Sequence, residues 1–313
     1  WSRLGPRWAA VLTHSVASHL AVSTPRELFP VKELPLDMAP DAFDDEYRGC
    51  AEAMEAELAE LNRTEMAGNA VYAEAWAGAA ARWGEGRPGA PRPPALRPVQ
   101  ELAILAYTMQ GPLHGAFNAA VREAGRSRCR YLDAFPFKTF HFLLSTGLRA
   151  LRDAGPRLCR RVYRGVRGVR FAARLGRPVR FGHFASASLR NGSAWRFGQD
   201  TFFSVETCCG VAIGGFSFFP EEEEVLIPPS ESFEVTGVAR AGGRVLIELR
   251  SQGSRSTYNC AFLQGEASAS HRRPHPLLRL GGAVQPPPFW EMLISSPLPP
   301  RSRGPGAVGM LAR

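Results

Sequence analysis

Four consecutive glutamates, Glu221 to Glu224, stand directly before an apolar Val-Leu-Ile and a double proline in the stretch FPEEEEVLIPP. Side chains alternate between the two faces of an extended strand, so Glu222 and Glu224 are expected on one face and Glu221 and Glu223 on the other. A pair of this kind can present two carboxylates to one cleft, where one stabilises developing positive charge and the other accepts a proton. A solvated acidic turn is the alternative, because runs of like charge usually mark exposed surface.

Two kinds of local pattern surround this run. Ala, Glu, Leu and Met at three- and four-residue intervals predict helices at 44–83, 99–109, 113–125 and 137–155. Gly125 and Gly155 are expected to stop the last two helices, and GEGRPGAPRPP at 84–94 is expected to be a loop. After Cys159, alternating Val, Phe, Ile and Thr predict short strands. The strand segments are RRVYRGV, PVRFGHFASASL, TFFSVETCCGVAI, FSFF, EVLIPP, FEVTGVAR, RVLIELRS and TYNCAFL.

The predicted architecture is therefore α+β, with a helical N-terminal part followed by a compact, mixed, sandwich-like β part. One folded domain is expected over 41–265, with its helical part at about 44–155 and its β part at about 159–263. Residues 1–40 are expected to be a leader or a poorly ordered segment, with a degraded secretion signal in WAAVLTHSVASHLAV. Residues 266–313 are rich in Pro, Arg and Gly and are expected to be disordered.

Composition excludes several classes of function. The formal net charge is +9, but the arginines form neither a basic helix nor a basic-aromatic repeat, so no nucleic-acid partner is expected. No apolar run reaches the roughly 18 residues of a transmembrane segment. The six cysteines include no Cys-x-x-Cys pair and no histidines at ligand spacing, so no metal site is expected. They fit structural disulfides or buried thiols, and sequons at Asn62 and Asn191 favour a secreted glycoprotein.

Three strand-borne motifs follow one another along the chain: RG at 164–165, FASAS at 184–188 and EEEVLIPP at 222–229. This ordered series resembles the R-S-ExE signature of the vertebrate ecto-mono-ADP-ribosyltransferases, and the resemblance runs from about residue 43 to residue 263. It includes FDDEYRGC, YTMQGPLHGAFNAAVR, FHFLLSTGLRAL and TFFSVETC. Members of this family transfer ADP-ribose from NAD to protein arginine. The resemblance thus implies an NAD-binding ADP-ribosyltransferase core that uses no metal. NAD is the implied co-substrate, with NADP as an alternative, and the implied acceptors are proteins with an exposed arginine.

The resemblance also implies roles for four catalytic residues. Arg164 gives a bidentate, always-charged contact to the pyrophosphate of NAD or to the adjoining ribose. Ser186 fixes the cofactor and positions Glu224, which stabilises the sugar cation while neutral nicotinamide leaves. Glu222 pairs with the acceptor arginine and takes its proton. Three further residues are implied to bind NAD: Tyr107, Ser188 and Ser217. The alternatives are core packing for Tyr107, an ordinary strand hydroxyl for Ser188 and a solvent-facing hydroxyl for Ser217.

Two disulfides are implied by the same resemblance, Cys50–Cys260 and Cys159–Cys208. They leave Cys129 and Cys209 without assigned partners, and the doubled Cys208-Cys209 keeps the second pairing ambiguous.

Two departures from the family pattern carry further expectations. Ser230 replaces the aromatic residue that often follows the double proline, so packing around the acceptor arginine is expected to differ. The C-terminus lacks the hydrophobic tail that lipid-anchored family members carry, which favours a secreted protein. If such a tail is missing from this sequence, a cell-surface protein is expected instead.

Two alternatives to arginine transfer remain. An NAD glycohydrolase would use the same Arg-Ser-Glu core with water as acceptor. An inactive relative would serve as a binding module, although the intact set of Arg164, Ser186, Glu222 and Glu224 argues against that.

Overall fold

The computed structural model describes residues 30–85 and 92–265, and those from residue 31 onward belong to one unit. The helices in these ranges are α1 Ala51–Gly68, α2 Ala70–Gly84, α3 Pro98–Thr108, α4 Leu113–Ala124, α5 Arg128–Ala134, α6 Lys138–Ala154 and α7 Asn191–Phe197. The strands are β1 Lys32–Pro35, β2 Arg160–Val166, β3 Val169–Ala172, β4 Pro178–Val179, β5 Ala185–Ser188, β6 Thr201–Thr207, β7 Val211–Ala212, β8 Glu224–Ile227, β9 Glu231–Ala241 and β10 Arg244–Ser254. The α+β prediction is confirmed.

The helix-rich stretch at 44–83 contains two helices. The buried side of α1 carries residues at helical spacing: Met54, Leu58, Asn62 and Glu65. Asn69 then breaks the helix and caps the next one, because its side chain accepts a 3.1 Å hydrogen bond from the main-chain N–H of Tyr72. Residues 44–50 precede α1 as turns and loop.

The ends of α4 and α6 fall where the glycines predict them, with Gly125 and Gly155 in the C-cap positions. Gly125 also has a packing reason to be glycine. A Cβ atom there would lie 2.5 Å from the carbonyl oxygen of Ala42, so only glycine lets the chain segment before α1 lie against the end of α4. The short helix α5 was not predicted, since its seven residues carry no clear apolar period.

Eight strands form one mixed sheet in the order β4-β9-β10-β6-β2-β5-β8-β7, in which only β6 and β10 are parallel neighbours. Strand β2 pairs with β6 along all seven of its residues. On its other side, β2 pairs with β5 at a single position, Tyr163 opposite Ser188. The sheet therefore opens between β2 and β5 beyond this pair, and a cleft forms in that opening.

The first strand corrects one predicted boundary. Residues 32–35 were expected in a leader, but they form β1 and pair in parallel with β3. All four residues of β1 are exposed, so the strand has no alternation of apolar and polar residues to reveal it. The domain thus begins before residue 40. Residues 1–29 and 266–313, for which a leader and a disordered tail were predicted, lie outside the described residues.

Two predicted strands are absent from the described chain: FSFF begins at the last residue of a 3₁₀ turn and continues as loop, and TYNCAFL forms turns. In TYNCAFL the main-chain N–H groups bind carboxylates instead of a neighbouring strand. Asp44 accepts from the N–H groups of Thr257 and Tyr258. Asp45 accepts from those of Cys260 and Ala261. Donors occupied in this way cannot form a β ladder.

Both implied disulfides are confirmed. Cys50–Cys260 joins the start of α1 to the turn after β10, and Cys159–Cys208 joins the residue before β2 to the end of β6. Their sequence separations are 210 and 49 residues, so each would stabilise the fold by about 4 to 5 kcal/mol in the loop-entropy account. Cys129 is exposed and free, whereas Cys209 is buried and free.

Within the two described ranges, no group of three or more His, Cys, Asp or Glu could hold a metal ion. In the same part of the chain, no helix combines the length and apolar character needed to cross a lipid bilayer.

Candidate active site

The opening between β2 and β5 contains a cleft of about 480 Å³, within the usual size of small-molecule sites. Its walls come from the end of α3, from α4, from β2, from the segment around β5, from α7 and from the glutamate run. Six of the predicted site residues line it: Tyr107, Arg164, Ser186, Ser188, Glu222 and Glu224.

Arg164 enters the cleft from β2, beside the opening of the sheet. Its Nη1 donates a 2.6 Å hydrogen bond to the main-chain oxygen of Ser186 on β5. Burial lowers the pKa of Arg164, but a guanidinium remains charged in proteins. The neighbouring Gly165 lets α7 approach, because a Cβ atom there would lie 2.2 Å from the carbonyl oxygen of Ala194. Arg164 is therefore a fixed positive charge in the cleft.

Glu224 is the first residue of β8, where it pairs with Ser188 of β5 and is only 8% exposed. The hydroxyl of Ser217 donates a 3.4 Å hydrogen bond to its Oε2. Burial is the main effect on this carboxyl group and raises its pKa, and the charge of Glu222 raises it further. Hydrogen bonds from Ser186 and Ser217 and the charge of Arg164 act in the opposite direction.

The segment before Glu224 corrects the predicted strand alternation. Pro220–Glu222 is a 3₁₀ turn, and Glu223 has φ 47° and ψ 48°, in the left-handed region. Glu222 and Glu224 line the same cleft because this turn folds back, and not because two strand residues share a face. Glu221 is exposed, and Glu223 forms an ion pair with Arg190.

Glu222 is partly buried at the end of the 3₁₀ turn. Burial raises its pKa, the neighbouring charge of Glu221 raises it as well, and the charge of Arg196 on α7 lowers it. A partly buried carboxylate with a raised pKa is suited to accept a proton.

The three serines occupy different positions. Ser186 lines the cleft beside Arg164 and Glu224. The hydroxyl of Ser188 is engaged with the protein, since it donates to the main-chain oxygen of Glu222 at 2.7 Å and accepts from the N–H of Arg190 at 3.0 Å. Ser217 is buried rather than solvent-facing, and it contacts Glu224 without lining the cleft. The last two hydroxyls thus support the glutamate turn.

Tyr107 forms part of the cleft wall at the end of α3. Its hydroxyl donates to the main-chain oxygen of Phe184 at 2.9 Å and accepts from Nδ2 of Asn118 at 3.0 Å. Burial raises the pKa of Tyr107 to about 12, so it is a neutral group at physiological pH. Tyr107 thus packs in the core and also lines the cleft, and its contact with NAD stays a prediction.

Sequence reasoning missed several cleft residues on α4 and α7. Asn118 is buried, and its Oδ1 has no hydrogen-bond partner within the described residues. His114 lies one helical turn earlier on the same face of α4. Phe197 lines the cleft although the residue is 53% exposed. The i, i+4 spacing of His114 and Asn118 was the one available signal.

Two other expectations concern residues that lie outside the cleft lining. Ser230 is buried and donates to Oε1 of Glu46 at 3.0 Å, and its effect on packing of an acceptor arginine stays a prediction. Asn62 is also buried and accepts a 2.8 Å hydrogen bond from the hydroxyl of Tyr72, which leaves no room for a glycan. Asn191, in the other sequon, is exposed.

The cleft therefore combines one oriented guanidinium with two carboxylates of different burial. A guanidinium binds phosphate oxygens, a buried carboxylate stabilises an adjacent cation, and a more accessible carboxylate can take a proton. This combination suits cleavage and transfer at a sugar carbon of a pyrophosphate-bearing substrate.

Comparison with known proteins agrees with this chemistry. The NAD:arginine ADP-ribosyltransferase family matches residues 36–257. The chain belongs to this family. Among related proteins, the erythroblast NAD(P)(+)–arginine ADP-ribosyltransferase of Gallus gallus is 54% identical over 235 residues, covering 75% of this chain and 78% of that protein. The GPI-linked NAD(P)(+)–arginine ADP-ribosyltransferase 1 of Mus musculus is 53% identical over 242 residues, covering 74% of each.

A solved family structure has the same fold. The eucaryotic mono-ADP-ribosyltransferase ART2.2 matches with a TM-score of 0.62 and 37% identity, over 72% of this chain and 98% of that one. A mutant of ART2.2 in complex with NAD matches with the same TM-score and 36% identity, over the same shares of the two chains. The ADP-ribosyltransferase fold expected from the motifs is thus confirmed.

Proposed function

We propose that the chain transfers ADP-ribose from NAD to arginine side chains of acceptor proteins and releases nicotinamide. The observation that carries this proposal is the convergence of Arg164, Glu222 and Glu224 on one cleft in a member of the arginine ADP-ribosyltransferase family.

The co-substrate is held by Arg164 and Ser186. The guanidinium of Arg164 uses one N–H on the oxygen of Ser186, which leaves its other donors for the pyrophosphate or the adjoining ribose. NADP is a second candidate co-substrate, because the related enzymes of Gallus gallus and Mus musculus are named for NAD(P).

Glu224 acts in cleavage of the bond between nicotinamide and ribose. The sugar carbon gains positive charge as this bond breaks, and a carboxylate fixed beside it lowers the barrier. Glu224 is held by β8 and by Ser217, so it needs no rearrangement during the reaction. Nicotinamide leaves as a neutral molecule, and no general acid is required.

Glu222 acts on the acceptor. An arginine side chain is protonated at neutral pH, so it must be oriented and must lose a proton to attack the sugar carbon. Glu222 can form the ion pair and take the proton, because burial and the charge of Glu221 raise its pKa.

Water is the competing acceptor, and hydrolysis of NAD is the second candidate function. Glu222 is only partly buried, so the acceptor end of the cleft is open to solvent. Hydrolysis and transfer share the first step, so the two functions differ only in what reaches the sugar carbon.

The proposed location is extracellular. The two disulfides fit an oxidising compartment, and Mus musculus transferase 1 is named as GPI-linked. The exposed Asn191 is the candidate glycan position.

Mass spectrometry tests the proposal. An arginine-rich protein is incubated with the chain and NAD, and ADP-ribose is expected on arginine side chains. The matched control is Glu224→Gln, whose labelling should be about 10²- to 10³-fold weaker. Release of nicotinamide without labelled arginine would instead favour the hydrolase. If neither nicotinamide nor labelled arginine is detected, both functions are rejected.

A further inference from the structure

The last residue of β5 and the two residues that follow it form several contacts with the glutamate turn. Ser188 Oγ donates to the main-chain oxygen of Glu222 at 2.7 Å, and it accepts from the N–H of Arg190 at 3.0 Å. The N–H of Leu189 donates to the main-chain oxygen of Glu223 at 3.2 Å. The guanidinium of Arg190 forms an ion pair with the carboxylate of Glu223.

Glu223 is an unusual residue for its position. Its φ of 47° lies in the left-handed region, which disfavours residues that carry a Cβ atom. Glycine would adopt this conformation without strain. The residue present is instead a glutamate, and its side chain forms an ion pair with Arg190. The side chain at this position thus has a contact that glycine could not make.

The two cleft carboxylates depend on different supports. Glu224 belongs to β8, where it pairs with Ser188 in a four-residue ladder. Glu222 lies outside the sheet: its main-chain oxygen is held by Ser188, and the direction of its side chain also depends on the backbone angles of Glu223. A change at Glu223 would therefore move Glu222 while the sheet keeps Glu224 in place.

We propose that Arg190 is a positioning residue for Glu222, acting through Glu223, and that this ion pair sets the partition between arginine transfer and NAD hydrolysis. The inference rests on the proposed role of Glu222 toward the acceptor. With Arg190 removed, Glu222 no longer points steadily at the acceptor guanidinium, so water competes more effectively for the sugar carbon.

A purely stabilising role would give a different result. Arg190 and Glu223 are 63% and 38% exposed at their side chains, and ion pairs this accessible contribute little to global stability. Other charges near the turn are those of Glu221 and Arg196, which act on Glu222 directly, and they remain in the variants below.

The test compares Arg190→Ala, Glu223→Gln and the exchange of both charges, Arg190→Glu with Glu223→Arg. The matched control is Arg250→Ala, since Arg250 pairs with Glu234 at 3.0 Å on β9 and β10, at similar exposure and outside the cleft lining. Each protein is assayed for labelling of a small guanidino acceptor, for nicotinamide release without acceptor, and for Tm.

Arg190→Ala and Glu223→Gln should lower acceptor labelling roughly 10- to 100-fold, as expected when a reacting group is misplaced by about 1 Å. Nicotinamide release and Tm should stay near the values of the unmodified chain. The charge exchange should recover part of the labelling, and Arg250→Ala should resemble the unmodified chain in all three measurements.

Three results would overturn the inference. Undiminished labelling by Arg190→Ala would show that the ion pair does not position Glu222. A parallel loss of both activities with a lowered Tm would show a merely structural role. If the unmodified chain labels no guanidino acceptor, the proposed function fails together with the inference, whereas the first two results leave the proposed function intact.

Discussion

Arg164 reaches across the opening between β2 and β5 and donates a 2.6 Å hydrogen bond to the main-chain oxygen of Ser186. The two strands are not otherwise paired at this point, since their ladder is limited to Tyr163 and Ser188. The guanidinium thus spans the gap that forms the cleft. Its orientation is fixed before any substrate arrives, which reduces the entropy lost on binding.

Replacement of Arg164 by lysine should weaken NAD binding. A lysine ammonium is a point charge and cannot hold the oxygen of Ser186 and a phosphate in one fixed planar geometry. We expect KM for NAD to rise about tenfold or more, the effect of losing one charged hydrogen bond. Nicotinamide release against NAD concentration measures this. Arg161→Lys, an exposed change on the same strand, is the control and should leave KM unchanged.

The two cleft glutamates should separate the two steps. Glu224→Gln removes the charge beside the sugar cation, so nicotinamide release and arginine labelling should both fall about 10²- to 10³-fold. Glu222→Gln should abolish labelling but spare release to water. Both activities are measured on each variant. Equal loss of both activities in both variants would reject this division of roles, and Glu221→Gln serves as the control because Glu221 is exposed.

The pH dependence of NAD hydrolysis should report Glu224. Burial raises the pKa of this carboxyl group above 4.5, and only the ionised form stabilises the sugar cation, so activity should fall on acidification at a higher pH than for an ordinary glutamate. The charge of Glu222 also raises this pKa, so the acid limb of Glu222→Gln should move to lower pH. Hydrolysis rates across a pH series measure both limbs, and an unmoved or higher limb would contradict the assignment.

Reduction should inactivate the protein, since Cys50–Cys260 and Cys159–Cys208 join distant parts of the domain. A maleimide should label one thiol in the native protein, because Cys129 is exposed while burial raises the pKa of Cys209 to about 12. Denaturation without reductant should expose the second thiol, and reduction should expose all six. Active native protein with six free thiols would refute the pairing.

Much of the fold was predictable because local patterns specify it. Helices α3, α4 and α6 show helical spacing, α4 and α6 also end at glycine stops, and most strands of the main sheet show alternation. The exposed β1 carries no such pattern, and TYNCAFL has strand-like composition but gives its N–H groups to Asp44 and Asp45. Those partners are more than 200 residues away in sequence, beyond any local pattern.

The site was predictable as a set of residues but not as a geometry. The motifs named Arg164, Glu222 and Glu224, and all three line the cleft. The left-handed conformation of Glu223 left no signal, because glutamate rarely adopts it. The contact between Arg190 and Glu223 was equally hidden, since it joins two residues of common surface type.

Asp44 and Asp45 accept hydrogen bonds from the turn after β10, and these bonds also constrain the order in which this chain can fold. The two acidic residues leave the ribosome early, yet their main-chain donors follow 213 to 216 residues later. Until those donors are synthesised, Asp44 has only Arg180 as a partner and Asp45 has only the N–H of Tyr47, so burial of the segment before α1 would leave each carboxylate with part of its hydrogen bonds unmade. Synthesis of nearly the whole domain therefore has to precede its closure, which makes docking of this segment a late, non-local step in folding.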